Sequence, residues 1–263
     1  GDYASAAQAL SGEGYGEPLR DGNDDDVDIS AITGGATEPE DEVPGDDPGS
    51  IPDDFFNVPG FINAVIEYCL DTAPYPNRAL AFCGALTLQA FLAGRKIIEA
   101  GGIRPNIYLL ALASSGTGKD WPRKLNAHIL NHVNALQCLG DRLASGEGLQ
   151  DVMQVNLNML YQTDEMDGML RAINQSREGR HENIMGTLLT FYTSSDSFFP
   201  VRTKAGMTEG RSIRQPSLTI FGTATPKYYY EALSERMLTN GFFSRMIIVD
   251  VGQRPLCQMA KPL

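Results

Sequence analysis

Residues 113–120 read Ala-Ser-Ser-Gly-Thr-Gly-Lys-Asp. Gly116 and Gly118 let the backbone turn tightly enough for its N–H groups to surround an anion. A strand-length apolar run, 107–113, comes before this turn, and a helical pattern comes after it. A glycine-rich turn from strand to helix that closes on Gly-Lys is an arrangement suited to phosphate. Ser114, Ser115, Gly116, Thr117 and Gly118 would supply backbone donors, and Lys119 would reach the terminal phosphates. Two positions depart from the usual pattern. Ala113 replaces the first glycine, which costs little where its φ is negative. Asp120 replaces the hydroxyl residue that normally helps to hold magnesium. A carboxylate can bind that metal, but it also repels the phosphates.

Three further groups could complete the chemistry. The apolar run 157–163 ends in Asp164-Glu165, some 45 residues after the turn. Asp164 would hold magnesium, directly or through water, and Glu165 would orient and polarise an attacking water. The run 217–222 ends in Thr223-Ala224-Thr225-Pro226. If this strand lies between the first two, Thr223 or Thr225 would stand beside the γ-phosphate. Thr225 also suits a helix cap before Pro226, so Thr223 is the better sensor. Arg245, in Asn240-Gly241-Phe242-Phe243-Ser244-Arg245, could reach the γ-phosphate of a neighbouring subunit, with Arg236 as the competing candidate. Where measured, such an arginine raises the rate by about 10³–10⁵.

Strands alternating with helices must position these groups. The patterns predict strands at 107–113, 157–163, 217–222 and 246–251. Helices are expected at 119–138, 147–155, 184–194 and 227–238. Near-continuous apolar strands between helices imply an α/β fold, a mainly parallel sheet covered by helices on both faces. A helical pair precedes it. One helix starts near Asn57 and Pro59 and runs to about Asp71. The other runs from Arg78 to about Ala100, apolar almost all round, with Gly101-Gly102 ending it. The expected organisation is an acidic, largely disordered segment 1–52, a helical subdomain 53–104, and a nucleotide-binding core 105–263.

Net charge is −12 over the 263 residues, but the acidity is local. Residues 1–52 carry 14 Asp or Glu and one Arg, and the rest carry 19 acidic and 20 basic residues. The near-neutral body therefore does not exclude nucleic acid. The early stretch 3–10 suits a short helix or the end of a preceding domain. No two of Cys69, Cys83, Cys138 and Cys257 lie within four residues, so zinc and redox spacings are missing and free thiols in a reducing cytoplasm are expected. No apolar run is long enough to span a membrane, and no signal peptide is visible. The chain begins with Gly, and it reads as a segment of a longer protein.

His128 and His132 lie four apart without the glutamate of a zinc-protease helix, so they are expected on a helix surface. Arg177, Arg180, Arg202, Lys204, Arg211 and Arg214, with Phe198 and Phe199 nearby, form a basic stretch. It suits either a pore-facing loop on phosphate backbone or a solvated basic hairpin.

The ordered set Ser-Gly-Thr-Gly-Lys-Asp, Ala144-Ser145-Gly146-Glu147-Gly148, Thr163-Asp164-Glu165-Met166-Asp167-Gly168, Phe221-Gly222-Thr223-Ala224-Thr225-Pro226 and Gly241-Phe242-Phe243-Ser244-Arg245 resembles a known family. It is similar to the ATPase domains of phage and mobile-element replication proteins, often joined to a primase-polymerase and allied to the hexameric superfamily-three and AAA+ helicases. The resemblance covers roughly residues 55–252. It implies a P-loop NTPase, a replicative helicase or its loader, that binds ATP and Mg2+ and works as a ring, a hexamer, on single- or double-stranded DNA. It implies Lys119 on phosphates, Asp164 on magnesium, Glu165 as the catalytic carboxylate, Thr223 as sensor and Arg245 as finger. Asp after the motif lysine is common in this family. Two rivals share the site: a non-hydrolysing nucleotide-binding scaffold, which Asp120 favours, and a DNA-packaging or transposition ATPase.

Overall fold

The central apolar strands, Tyr108–Leu112, Asn158–Thr163 and Ser217–Ala224, are buried on both sides, and helices flank the sheet. A computed structural model describes residues 51–175, 180–203, 210–234, 237 and 240–263. The acidic segment 1–50, with its stretch 3–10, lies outside the described residues, as do Arg177, Lys204 and Arg236. So does the side chain of Arg180.

The first helices are α1 (Phe61–Thr72) and α2 (Arg78–Ala93). Then come β1 (Tyr108–Leu112), α3 (Trp121–His132), β2 (Leu139–Gly140), α4 (Gly146–Val155) and β3 (Asn158–Thr163). Next are α5 (Met166–Gln175), α6 (Arg180–Thr193), the strands β4 (Phe198–Val201) and β5 (Arg211–Arg214), then β6 (Ser217–Ala224), α7 (Pro226–Ala232) and β7 (Met246–Asp250). Five strands form one parallel sheet in the order β2-β3-β6-β1-β7. β4 and β5 pair separately as an antiparallel hairpin. The expected α/β architecture with a parallel sheet is therefore present, and β6 does lie between β1 and β3.

Successive side chains of a strand point to opposite faces. Tyr108, Leu110, Leu112, Tyr161, Leu218 and Ile220 join the core formed with α4, α5, α6 and the hairpin. Leu109, Ala111, Phe221 and Val249 pack on Ala79, Leu80 and Cys83 of α2. Leu160 meets Leu88 and Phe91 of α2 and Leu130 of α3. The helical pair thus shares the core of the sheet. Burial pushes the thiols of Cys69 and Cys83 up to about 12, so both are inert fillers.

Several boundaries differ from expectation. α1 starts at Phe61, after Gly60 at φ 93°. Asn57 and Pro59 precede it, and the side chain of Asn63 reaches back to accept from the Val58 N–H at 3.1 Å. α2 stops at Ala93, well short of residue 100. Gly94 leaves helical geometry at φ −51° and ψ 133°, and a Cβ there would collide with the side chains of Asn158 and Ser217, so only glycine fits at this exit. α3 ends at His132 because Asn134 takes φ 55° and the Ala135 N–H returns to the Leu130 carbonyl at 2.8 Å. α7 ends at Ala232, where Leu233 turns extended. Thr225 stands at the cap position of α7, but its side chain makes no capping bond. α5 was not anticipated, although its buried Met166, Leu170 and Ile173 have helical spacing.

Of the described part of the basic stretch, Arg180 begins α6, Arg202 directly follows β4, and Arg211 and Arg214 lie on β5 of the hairpin. Phe199 stacks on Phe191 of α6 with ring centroids 4.0 Å apart, which fixes the hairpin to the body. Arg202 binds Asp151 at 2.9 Å and the Glu147 carbonyl at 2.8 Å, so this cation secures α4 and is not free for a phosphate backbone. Phe198, Arg211 and Arg214 are exposed. No helix among the described residues is long and apolar enough to cross a membrane.

Gly84 sets the distance between α2 and α3. A Cβ there would lie 2.6 Å from Cβ of Pro122, in the first turn of α3. Gly84→Val should overpack this contact by about 2 kcal/mol and lower Tm by about 4–8 °C in a thermal melt. An unchanged Tm would mean that the two helices can separate freely.

Candidate functional site

Parallel register brings three strand ends to one edge. Leu112 of β1 pairs with Ala224 of β6, and Thr163 of β3 pairs with Gly222. One residue beyond Thr163, Asp164 therefore comes beside Thr223. The loop after β1 crosses the same edge.

That loop is built as the glycines require. Gly116 and Gly118 take φ 79° and 81°, in the left-handed region. Ala113 is not among the residues with positive φ, so alanine fits where the usual glycine is missing. Thr117 is fully buried, and its hydroxyl donates to the Ser114 carbonyl at 2.8 Å, which closes the turn from inside. The N–H groups of Ser115, Gly116, Gly118 and Lys119 have no hydrogen-bond partner among the described residues. They line the approach to α3, whose N-terminal end is electropositive. Such a row of free donors is a cradle for an anion.

Asp164 closes the other side. It lies 3.3 Å from Lys119 Nζ and 3.0 Å from Arg123, while the Thr223 hydroxyl donates to it at 2.8 Å and the Glu165 N–H at 2.9 Å. Partial burial acts to raise its pKa. The Thr223 bond, Arg123, Lys119 and the Glu165 N–H outweigh burial and hold the carboxyl below its ordinary value. Asp164 is thus an ionised carboxylate aimed at the loop lysine. Glu165 is exposed and holds φ 51°, unusual for a residue with a side chain. Its carbonyl accepts from the Gly168 N–H at 2.8 Å, which ties the strained turn to α5. Asp167, buried in the first turn of α5, feels both Lys119 and Glu165, and burial raises its pKa.

Asp120 behaves differently from its neighbours. Its carboxylate pairs with Lys124 at 2.6 Å, one helical turn on. Burial acts to raise its pKa, but the Lys124 bond and charge, a backbone hydrogen bond and Arg123 together lower it. As it stands, Asp120 is engaged by Lys124, whereas Asp164 faces Lys119. Thr223 is fully buried, and its hydroxyl is spent on Asp164. Thr225 caps nothing and sits beyond the strand end.

Arg245 lies elsewhere. It directly precedes β7, whose Met246 pairs with Tyr108 at the start of β1. At about 3.3 Å per residue, Arg245 is about 20 Å along the sheet from Ala113. It cannot serve its own loop. Its guanidinium donates to the Gly241 carbonyl at 2.7 Å and lies 5.9 Å from the Tyr192 ring centre. His128 and His132 sit on α3 and line an apolar hollow with Phe61 and Tyr68, apart from this edge.

Arg123 was missed in the sequence, though it stands four residues after Lys119 and so on the same helical side. A buried network also escaped notice. Asn126 donates to the Gly84 carbonyl at 3.0 Å and to Gln162 at 2.9 Å, and Gln162 donates to the Arg123 carbonyl at 3.1 Å. It holds the first turns of α3 against β3. Among the described residues no three His, Cys, Asp or Glu cluster as a metal cage. The Ala-Ser-Gly-Glu-Gly run caps α4, the Ser145 hydroxyl accepting from the Gly148 N–H at 3.0 Å. The chain matches no protein-family model and no curated protein.

The lowered pKa of Asp164 gives a signed pH dependence. The carboxylate stabilises the fold at pH values above its unfolded value of 3.8, and that contribution is lost as pH falls through the lower folded value. Asp164→Asn should therefore be less stable at neutral pH and show a shallower loss of stability between about pH 5 and pH 2. Denaturant titrations across that range should show it. Parallel curves for the two proteins would remove Asp164 from the acid limb.

Proposed function

We propose that this chain is a P-loop ATPase domain of a DNA replication motor of the phage and mobile-element type. The observation that carries the reading is the direct approach of Asp164 to Lys119 at 3.3 Å, beside a loop with four free backbone donors. One anionic ligand at the end of β3, next but one to β1, a lysine and a helix N-terminus are the parts that position and stabilise a transferring phosphoryl group.

In this reading the N–H groups around Gly116 and Gly118 bind the β-phosphate, and Lys119 spans the β- and γ-phosphates. Magnesium commonly binds through one or two carboxylates together with substrate phosphates, so a single ionised Asp164 fits it better than a protein cage would. Asp164 would hold it, with Asp120 as a second ligand only if the Lys124 pair opens. When bound, the ion neutralises charge that develops on the phosphoryl oxygens. Glu165, exposed on its strained turn, polarises the water. Thr223 acts by orienting the Asp164 carboxylate. Arg245, far from its own loop, serves a neighbour in a ring on single- or double-stranded DNA, in a cytoplasmic protein that also carries a primase domain. The ring, the DNA and the primase rest on the motif resemblance.

Asp120 favours a second reading, in which nucleotide is bound but not hydrolysed. ATP binding and turnover separate the two. Lys119→Ala should abolish ATP binding. Glu165→Gln should leave binding intact and cut turnover by about 10²–10⁴. Binding of ATP by the native protein with no turnover, with or without single-stranded DNA, selects the second reading. In assembled rings Arg245→Ala should slow hydrolysis about 10³-fold without changing affinity, and an unchanged rate ends its role as a finger.

A further inference from the structure

Behind the loop lies a pair of side chains that the phosphate chemistry does not use. The turn between α1 and α2 reads Pro74-Tyr75-Pro76, and the two prolines restrict its backbone. Tyr75 is pressed against the loop. A Cβ at Gly118 would stand 3.0 Å from Cβ of Tyr75 and 3.2 Å from its carbonyl oxygen. Glycine at 118 is thus required by this neighbour as well as by its own φ. On the Tyr75 ring lies the guanidinium of Arg254, 4.4 Å from the ring centre. The same guanidinium lies 3.3 Å from where a Cβ of Gly116 would be. Arg254 is exposed and has no carboxylate partner among the described residues.

The segment carrying Arg254 is a strap fixed at both ends. The Val251 N–H donates to the Leu112 carbonyl at 3.0 Å. Gln258 donates from its backbone to Pro74 at 2.9 Å and from its side chain to the carbonyls of Leu70 and Ala73, and the Lys261 N–H reaches Thr72 at 3.1 Å. Between the anchors, residues 253–257 make no hydrogen bond among the described residues, and Gly252 sits at φ 72°. Arg254 can therefore lift from the ring while the strap stays attached.

We infer that Tyr75 and Arg254 form the nucleobase subsite of this loop, with the base of a nucleoside triphosphate entering between the ring and the guanidinium. The inference rests on the phosphate-loop reading. An aromatic face and a planar cation are the two side-chain types that stack on any base. Here the base replaces one cation–π contact by two stacked contacts. The subsite grips the base by its faces, so it takes purine and pyrimidine triphosphates alike, the larger purine more tightly.

The test compares ATP with inorganic tripolyphosphate, each titrated with magnesium into the native protein, Lys119→Ala, Tyr75→Ala, Tyr75→Phe and Arg254→Ala. ATP should bind the native protein more tightly than tripolyphosphate. Tyr75→Ala should weaken ATP about tenfold and leave tripolyphosphate within about twofold, and Tyr75→Phe should restore ATP. Arg254→Ala changes an exposed side chain and stands in if Tyr75→Ala does not fold. It should weaken ATP about fivefold, again sparing tripolyphosphate. If both alanine variants bind ATP as the native protein does, or lose ATP and tripolyphosphate equally, the base subsite is wrong while the loop stands. If neither ligand binds in a Lys119-dependent way, the phosphate reading falls and the subsite with it.

Discussion

Parallel pairing in register is the constraint on which the rest depends. Because β1, β3 and β6 run the same way and end at one level, the residues after them must emerge at a single edge. Antiparallel pairing with β6 would send Thr223 to the opposite end from Asp164 and the loop after β1. Parallel strands in turn need crossover helices, and these bury both faces of the sheet. The apolar residues that alternate between Tyr108 and Leu112 therefore pack two different layers. The site is a consequence of the same geometry that makes the core.

At that edge, one carboxylate is balanced against two cations and two donors. Asp164 is partly buried, which opposes its ionisation, yet Lys119, Arg123, Thr223 and the Glu165 N–H keep it charged. This arrangement costs the chain local strain. Glu165 carries a left-handed backbone, and the turn is held by Gly168 of α5. The buried bonds among Asn126, Gln162 and Gly84 hold α3 so that Arg123 and Lys119 face the same carboxylate. A left-handed Glu165 and these buried polar bonds therefore support the same edge of the sheet.

Two edges of the sheet carry different chemistry. The C-terminal edge holds the loop, Asp164 and the strap with Arg254. The opposite edge holds Arg245, which directly precedes the start of β7. The basic stretch, which in the sequence suited either a pore-facing loop or a solvated hairpin, has Arg202 drawn onto α4 and Phe199 onto α6. A cation near an aspartate on a packed helix is claimed by it before any partner arrives.

Residues 113–120, the pair Asp164-Glu165 and the strands around them were legible in the sequence, because each depends on local chemistry. Glycines turn, apolar runs extend, and strand ends expose the residues beyond them. Helix ends were less legible: α2 exits at Gly94, where Asn158 and Ser217 leave room only for glycine, and neither neighbour is near it in the chain. Arg123, the Asn126–Gln162 bonds and the pairing of Asp120 with Lys124 were decided by which face of α3 meets β3. The contact of Arg254 with Tyr75 joins residues 179 positions apart, and only folding brings them together. Local composition determined that this chain has a glycine-rich turn from strand to helix that closes on Gly-Lys. Tertiary structure decided which carboxylate faces that turn, because a side chain's partner is set by register and helix rotation, which no single segment contains.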